Sequence, residues 1–159
     1  MGNVANQLTG GTDTWYSPGM AMVTNGEMHF VATGDWPGVS TLIASKGPGM
    51  IGCVDVSQYT SISFKISSPT NTSLLFEIVS KEVAMMPDGS GFRTTFSLSS
   101  TPTPVTIKLS TLVAPSFGIG ATQAAMPGFN ILKDAAAIVF GVGTMGEKLD
   151  ITIDDVTFK

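Results

Sequence analysis

His29 and Cys53 are the only histidine and the only cysteine in this 159-residue chain. Nucleophilic catalysis would have to be built from these two, and nothing in the sequence supports either. No Gly-x-Ser-x-Gly turn presents a serine, and no glycine loop ahead of a helix could cradle a phosphate. A single cysteine makes neither an intrachain disulfide nor a cysteine-based zinc site. Between Met28 and Phe30, a lone histidine reads as a surface or hydrogen-bonded strand residue, and the lone thiol reads as a small buried hydrophobe. Asp154 and Asp155 are adjacent, and neighbours in an extended strand point to opposite faces. They cannot form the facing carboxylate pair, roughly 5–9.5 Å apart, of a glycoside hydrolase. The expectation is a protein that is not an enzyme.

Binding chemistry has more to draw on. Trp15, Tyr16 and Trp36 lie in segments rich in glycine and proline, away from the inward positions of strands. They can be core residues, or an exposed platform whose ring faces stack on the C–H-rich face of a pyranose. Polar side chains would then fix the sugar hydroxyls. Lys65, Glu77, Lys81, Arg93 and Thr95 stand at positions expected to face outward, where an ordinary solvated sheet face is the other reading. Trp36 is the best placed of the aromatics, because Pro37 restricts its backbone to extended conformations and glycines flank the turn. At the C-terminus, Ile151-Thr152-Ile153-Asp154-Asp155-Val156-Thr157-Phe158 reads as a last strand. Ile153 and Val156 can both face inward only if a bulge absorbs the extra residue, which would re-aim one carboxylate. A carboxylate beside free carbonyls suits Ca²⁺, although two solvated acids would look the same. Asp13, in a flexible Gly-rich segment, and Glu27, opening the strand after Gly26, could complete such a site.

The elements that must position these residues are strands. Met28, Phe30 and Ala32 alternate with polar neighbours, as do Ile62, Phe64 and Ile66, then Leu74, Phe76 and Ile78, then Phe92, Thr94 and Phe96. The pattern continues through Val105, Ile107 and Leu109, through Ile138, Phe140 and Val142, and through Leu149, Ile151 and Ile153. Period two marks half-buried strands, and Gly- and Pro-rich turn clusters separate them. The predicted fold is all-β, a two-sheet antiparallel β-sandwich of the jelly-roll type, forming one domain over residues 1–159. Helix is expected only at Thr122–Met126 and Lys133–Ala137. Ser110–Ile131 is the longest stretch without a strand signal, and such a loop is functional or packs on itself.

Composition narrows the partners. Charged residues make up 13% of the chain, where about 25% is usual. The net charge of -4 would repel phosphate backbones, so nucleic acid is not an expected partner. No apolar run reaches the roughly 18–20 residues of a membrane span. Eighteen glycines and nine prolines are too many for a helical bundle. Met1-Gly2-Asn3-Val4 lacks the basic and apolar regions of a signal peptide, as would the start of a domain cut from a longer secreted protein.

Several segments carry a resemblance. They are Gly11-Thr12-Asp13-Thr14-Trp15-Tyr16, Gly34-Asp35-Trp36-Pro37-Gly38-Val39, Val54-Asp55-Val56-Ser57-Gln58-Tyr59 leading into Ile62-Ser63-Phe64-Lys65-Ile66, and the ending Leu149-Asp150-Ile151-Thr152-Ile153-Asp154-Asp155-Val156-Thr157-Phe158. In order and over nearly the whole chain, they resemble the galactose-binding-like carbohydrate-binding modules appended to bacterial extracellular polysaccharide-degrading enzymes. The resemblance implies a non-catalytic module of a larger extracellular protein that binds a polysaccharide, with Trp36, Trp15, Tyr16, Glu77 and Arg93 as candidate ligand-binding residues. It also implies a structural Ca²⁺ tying the N-terminal segment to the last strand, through Asp155 or Asp154 and through Asp13 or Glu27. The alternative is a structural or protein-interaction sandwich with no sugar site.

Overall fold

Apolar side chains at every second position, as sequence alternation predicts, are what bring the chain into two packed sheets. The computed structural model describes residues 3–5, 12–16, 20–24, 27–43, 51–85 and 90–159, the first three stretches by their backbone alone. One sheet holds six strands: β1 (Asn3–Ala5), β2 (Thr12–Tyr16), β5 (Gly38–Leu42), β10 (Ala135–Gly141), β7 (Ser73–Ser80) and β8 (Phe92–Ser97), in the order β1-β2-β5-β10-β7-β8. The other holds five: β3 (Met20–Thr24), β4 (Glu27–Ala32), β11 (Leu149–Phe158), β6 (Ser61–Ser67) and β9 (Thr103–Lys108), in the order β3-β4-β11-β6-β9. Neighbouring strands run antiparallel throughout. The fold is the expected antiparallel jelly-roll sandwich.

The inward side chains meet in an aromatic cluster. Phe64 of β6 lies 6.0 Å from the Phe76 ring, 5.5 Å from Phe96 and 4.9 Å from Phe140, the last two edge-on. These separations fall in the favourable range for offset and edge-to-face ring pairs. Around the rings pack Met28, Phe30, Ile62, Ile66, Leu74, Ile78, Ile138, Leu149 and Ile151, all buried.

Some expectations change. Ala135–Ala137 opens β10 instead of ending a helix. The three alanines are buried and β10 is paired on both sides, so sheet packing overrides their helix propensity. The longer helix, α2 (Gly118–Ala124), starts four residues before the predicted Thr122, and Lys81 opens a short helix, α1 (Lys81–Ala84), instead of facing out from a strand. Trp15 and Tyr16 end strand β2. Cys53 is exposed, because the bond from Val54 N–H to the Ala135 carbonyl (2.9 Å) lays this segment along β10 with Gly52 and not Cys53 inward. His29 is an exposed strand residue hydrogen-bonded to Asp150 Oδ1 at 3.1 Å, as its isolation suggested.

The expected irregularity in the last strand is present. Asp154 pairs with Lys65 and Thr157 with Ser63, so β11 carries one extra residue. Asp155 takes it up at φ 54, and its N–H donates to Asp154 Oδ1 at 2.8 Å. Aspartate tolerates this left-handed conformation better than most residues do. Val156 and Phe158 then return to the core side.

Asn71 holds the turn between β6 and β7 against the start of β11. Its Oδ1 accepts from Asp150 N–H at 3.1 Å, and its Nδ2 donates to the Lys148 carbonyl at 2.8 Å and to Glu147 Oε1 at 3.0 Å. Ser68 Oγ donates to the Asp150 carbonyl at 2.6 Å. At the same corner, Lys148, and to a smaller extent His29, hold the Asp150 carboxyl below its usual range. Asn71 is buried, so Asn71→Ala strands several polar groups away from water. It should cost about 2–4 kcal/mol, read as a lower denaturant midpoint with an unchanged slope.

Candidate functional site

Because Phe76 and Phe140 face inward, their neighbours Glu77 and Val139 face outward. The ladder sets directly opposed residues side by side: Ser40 beside Val139, Val139 beside Glu77, Glu77 beside Arg93. A bridge beyond the edge strand adds Val113, whose N–H and carbonyl both bond to Arg93 at 2.9 Å. The result is a row crossing the outer face of the β10 sheet, about 19 Å long at the usual strand spacing. At its other end the backbone of Tyr16 lies opposite Ser40, and Trp15 lies opposite Thr41. The side chains of Trp15, Tyr16 and Asp13 lie outside the described residues.

Glu77 departs from the sequence reading. Its strand position faces outward, yet it is only 8% exposed. Its Oε2 accepts a long bond, 3.4 Å, from Gly91 N–H, and its Oε1 stands 3.8 Å from Arg93 Nη1. The cover comes from segments that strand periodicity does not reveal. The α1 and α2 helices roof one end of the face, packing Val83 and Ile119 over Val79, Ala137, Leu42 and Val139. Polar bonds join them: Ser80 Oγ donates to Gln123 Oε1 at 2.9 Å, and Gln123 Nε2 donates to Glu82 Oε2 at 3.0 Å. A Cβ on Gly120 would collide with the Ser90 carbonyl, so this glycine lets α2 sit down on the chain leading into β8.

Phe117, at the start of α2, was not foreseen. Its ring centroid is 5.7 Å from the Arg93 guanidinium carbon, and the residue is 59% exposed. The only hint in the sequence was the length of the strand-free segment that contains it. Arg93 is therefore held between a buried carboxylate and an aromatic face, an arrangement favourable to a cation. Thr95 lies two residues further along β8 on the same face, exposed.

Trp36 is 64% exposed at the head of β5. Its turn is pinned to the connection between β10 and β11, where Gly146 N–H donates to the Asp35 carbonyl at 2.8 Å and Val142 N–H to the Pro37 carbonyl at 3.3 Å. The structure thus brings Glu77 and Arg93 together, sets the backbone of Tyr16 in the same row, and leaves Trp36 at one end of the sheet.

The acidic pair belongs to the other sheet. Lys65 Nζ stands 2.6 Å from Asp155 Oδ2, and Asp155, with smaller effects from Asp154 and Glu27, holds the lysine above its usual range. The pair is exposed on both sides, and Lys65 contacts the Asp155 carboxylate through Oδ2. Among the described residues, no group of three or more His, Cys, Asp or Glu side chains is placed to hold a metal ion.

No protein-family model matches the sequence, and no curated protein does. Solved structures do match. The family 11 carbohydrate-binding module of Clostridium thermocellum, in complex with a β-1,3-1,4-mixed-linked tetrasaccharide, superposes with a TM-score of 0.59 at 15% identity, covering 92% of this chain and 86% of that one. A family 30 module of a cellulosomal cellulase from the same organism gives 0.61 at 14% identity, covering 99% and 92%. The chain has the fold of these modules. An exo-β-agarase matches at 0.58 and 13% identity over 92% of this chain but only 23% of its own, so there the same sandwich is one part of a longer protein.

Burial holds the Glu77 carboxyl above its ordinary value of 4.5, against smaller downward pulls from Gly91 N–H and Arg93. Folded Glu77 keeps a proton that the unfolded chain has released, so stability falls as pH rises from the ordinary value to the raised one and is level above it. Glu77→Gln removes that loss. Its stability relative to wild type should climb through this acid window and then stay constant, as measured by denaturant midpoints between pH 3 and 8.

Proposed function

We propose that the protein is a non-catalytic carbohydrate-binding module that lays a polysaccharide segment along the outer face of the β10 sheet. The observation that carries this reading is the row Ser40–Val139–Glu77–Arg93–Val113 with the exposed Phe117 ring against Arg93. It supplies what a sugar site needs: an apolar ring face to stack on, a fixed guanidinium to donate, and a carboxylate to accept. Glu77 has Val139 and Arg93 as its ladder neighbours, so no second carboxylate stands across from it to share hydrolytic chemistry. Trp36 extends the platform at the head of β5.

The same reading makes the chain one module of a larger, extracellular protein. Support comes from the agarase in which this sandwich occupies a minor part of the chain. Among the described residues, no helix is long and apolar enough to cross a membrane.

Binding is tested by affinity gel electrophoresis on a panel of neutral polysaccharides. Wild type should be retained by at least one of them, and Phe117→Ala and Trp36→Ala should each weaken that retention while keeping the wild-type melting temperature. Loss of a stacking ring is worth about 1–3 kcal/mol by analogy with bases on aromatics, roughly five- to 150-fold in Kd. Full retention in both variants would remove the platform. Retention of wild type by no glycan would favour a structural or protein-interaction role.

A structural Ca²⁺ is a separate proposal. Asp155 is its likeliest side-chain ligand, and Asp154, Glu27 and Asp13 are the other acids that could hold it. Melting curves with EDTA and with millimolar calcium decide the matter. A calcium-dependent rise of several degrees that Asp155→Ala abolishes supports the site, one that survives the substitution assigns the metal to the other acids, and a shift under one degree removes it.

A further inference from the structure

The roof over the outer face holds buried polar groups of its own. Gln123 of α2 is 5% exposed, and Ser80, which ends β7, is fully buried. Ser80 Oγ accepts from Val83 N–H at 3.2 Å as the N-cap of α1, so its own proton goes to Gln123 Oε1 at 2.9 Å. With its oxygen on Ser80, the amide turns its nitrogen to Glu82 Oε2 at 3.0 Å. Each bond in this series fixes the direction of the next. A buried network whose members are satisfied in this way specifies one arrangement of the elements it joins, while each bond adds only modest net stability.

The element being arranged is α2, and its first residues lack a hold of their own. Phe117 caps the helix without a side-chain hydrogen bond, and Gly118 follows it at φ 75. The Phe117 ring is mostly exposed, so burial does not fix it over Arg93. The helix is set by contacts further along. Gly120 lies so close to the Ser90 carbonyl that a Cβ would not fit, Ile119 beside it joins the apolar cluster of the roof, and Gln123 is tied to α1. Phe117, Gly120 and Gln123 are three residues apart, so at the rise of a helix the ring and the amide stand roughly 4.5 Å to either side of the close contact. Gly120 is thus a pivot, with the ring on one arm and the amide on the other.

Resting on the carbohydrate reading above, we infer that Gln123 is a positioning residue, whose hydrogen bonds to Ser80 and Glu82 set the angle of α2 and so hold the Phe117 ring over Arg93. Being buried, Gln123 meets no ligand itself. Without its bonds, Ile119 still attaches the helix to the roof, but apolar burial has no preferred direction. The helix then turns about Gly120, and the ring leaves the guanidinium. Arg93 loses the aromatic face on one side and keeps only the 3.8 Å ion pair with Glu77 on the other.

The test compares wild type with Gln123→Leu, Glu82→Ala and Glu82→Gln by two readouts. One is the Kd for β-1,3-1,4-mixed-linked gluco-oligosaccharides and for agaro-oligosaccharides, by calorimetry. The other is the ring-current shift that Phe117 imposes on the Arg93 side-chain protons, read by NMR as the difference from Phe117→Ala. Gln123→Leu should lose most of that shift and bind at least fivefold more weakly. Glu82 is exposed, so Glu82→Ala leaves the core intact and should reproduce part of both losses. Glu82→Gln keeps an acceptor for the amide and should restore them. In a Phe117→Ala background, Gln123→Leu should change Kd less than twofold, because the residue acts only through the ring. A Gln123→Leu protein that melts earlier but keeps the ring-current shift overturns the inference, as does a fivefold loss of affinity that persists without Phe117. If wild type binds neither probe while the shift responds to Gln123 as stated, the placement of the ring stands and the binding reading falls.

Discussion

Phe64 reaches from one sheet into three rings of the other, and the placement of the outward residues of β7, β8 and β10 follows from that contact. Side chains alternate along a strand with a period of two, so a ring fixed inward fixes its neighbours outward. With Phe76 inward, Leu75 and Glu77 must face out. With Phe140 inward, so must Val139 and Gly141, and with Phe96 inward, Thr95. A slip of one residue in any of these strands would send a phenylalanine to solvent and a carboxylate or threonine into the core. The hydrophobic effect thus sets the register of a polar row in which it takes no direct part.

The outer face is then divided by what covers it. The roof of α1 and α2 buries Val79 and Ala137 and packs against Leu42 and Val139. Glu77 violates an ordinary folding preference, for a buried carboxylate with one long hydrogen bond and a 3.8 Å ion pair is poorly satisfied. Such local conflicts cluster where a site must be prepared ahead of its ligand.

Much of this was legible in the sequence, and the remainder failed for identifiable reasons. Alternation gave the strands of the core, and the spacing of Ile153 and Val156 gave the bulge, because both depend only on near neighbours along the chain. The aspartates at the bulge were visible as well, but their partner Lys65 comes from β6, nearly ninety residues earlier, and no local pattern could pair them. Ala135–Ala137 looked helical because propensity is blind to the two strands that flank it. Phe117 and the burial of Glu77 depend on how the strand-free segment folds back over β8, which neither periodicity nor turn chemistry encodes.

Lys65 and Arg93 show how neighbours assign opposite uses to similar charges. Both occupy outward strand positions beside a carboxylate. Lys65 is exposed and meets the mobile-chain geometry an ammonium satisfies easily, a single 2.6 Å contact with Asp155 at a bulge that brings the acid to it. Its charge is spent within the sheet. Arg93 stands 3.8 Å from a buried carboxylate, and its planar head lies over the Phe117 ring. A guanidinium has donors in a fixed fork and is weakly hydrated, so it can hold one stack and one distant ion pair while its remaining N–H groups point elsewhere. Lysine at position 93 could satisfy Glu77 but could not also offer that planar fork to a ligand. The distinction between the two faces of the sandwich therefore rests less on how many charges each carries than on whether the fold has already used them.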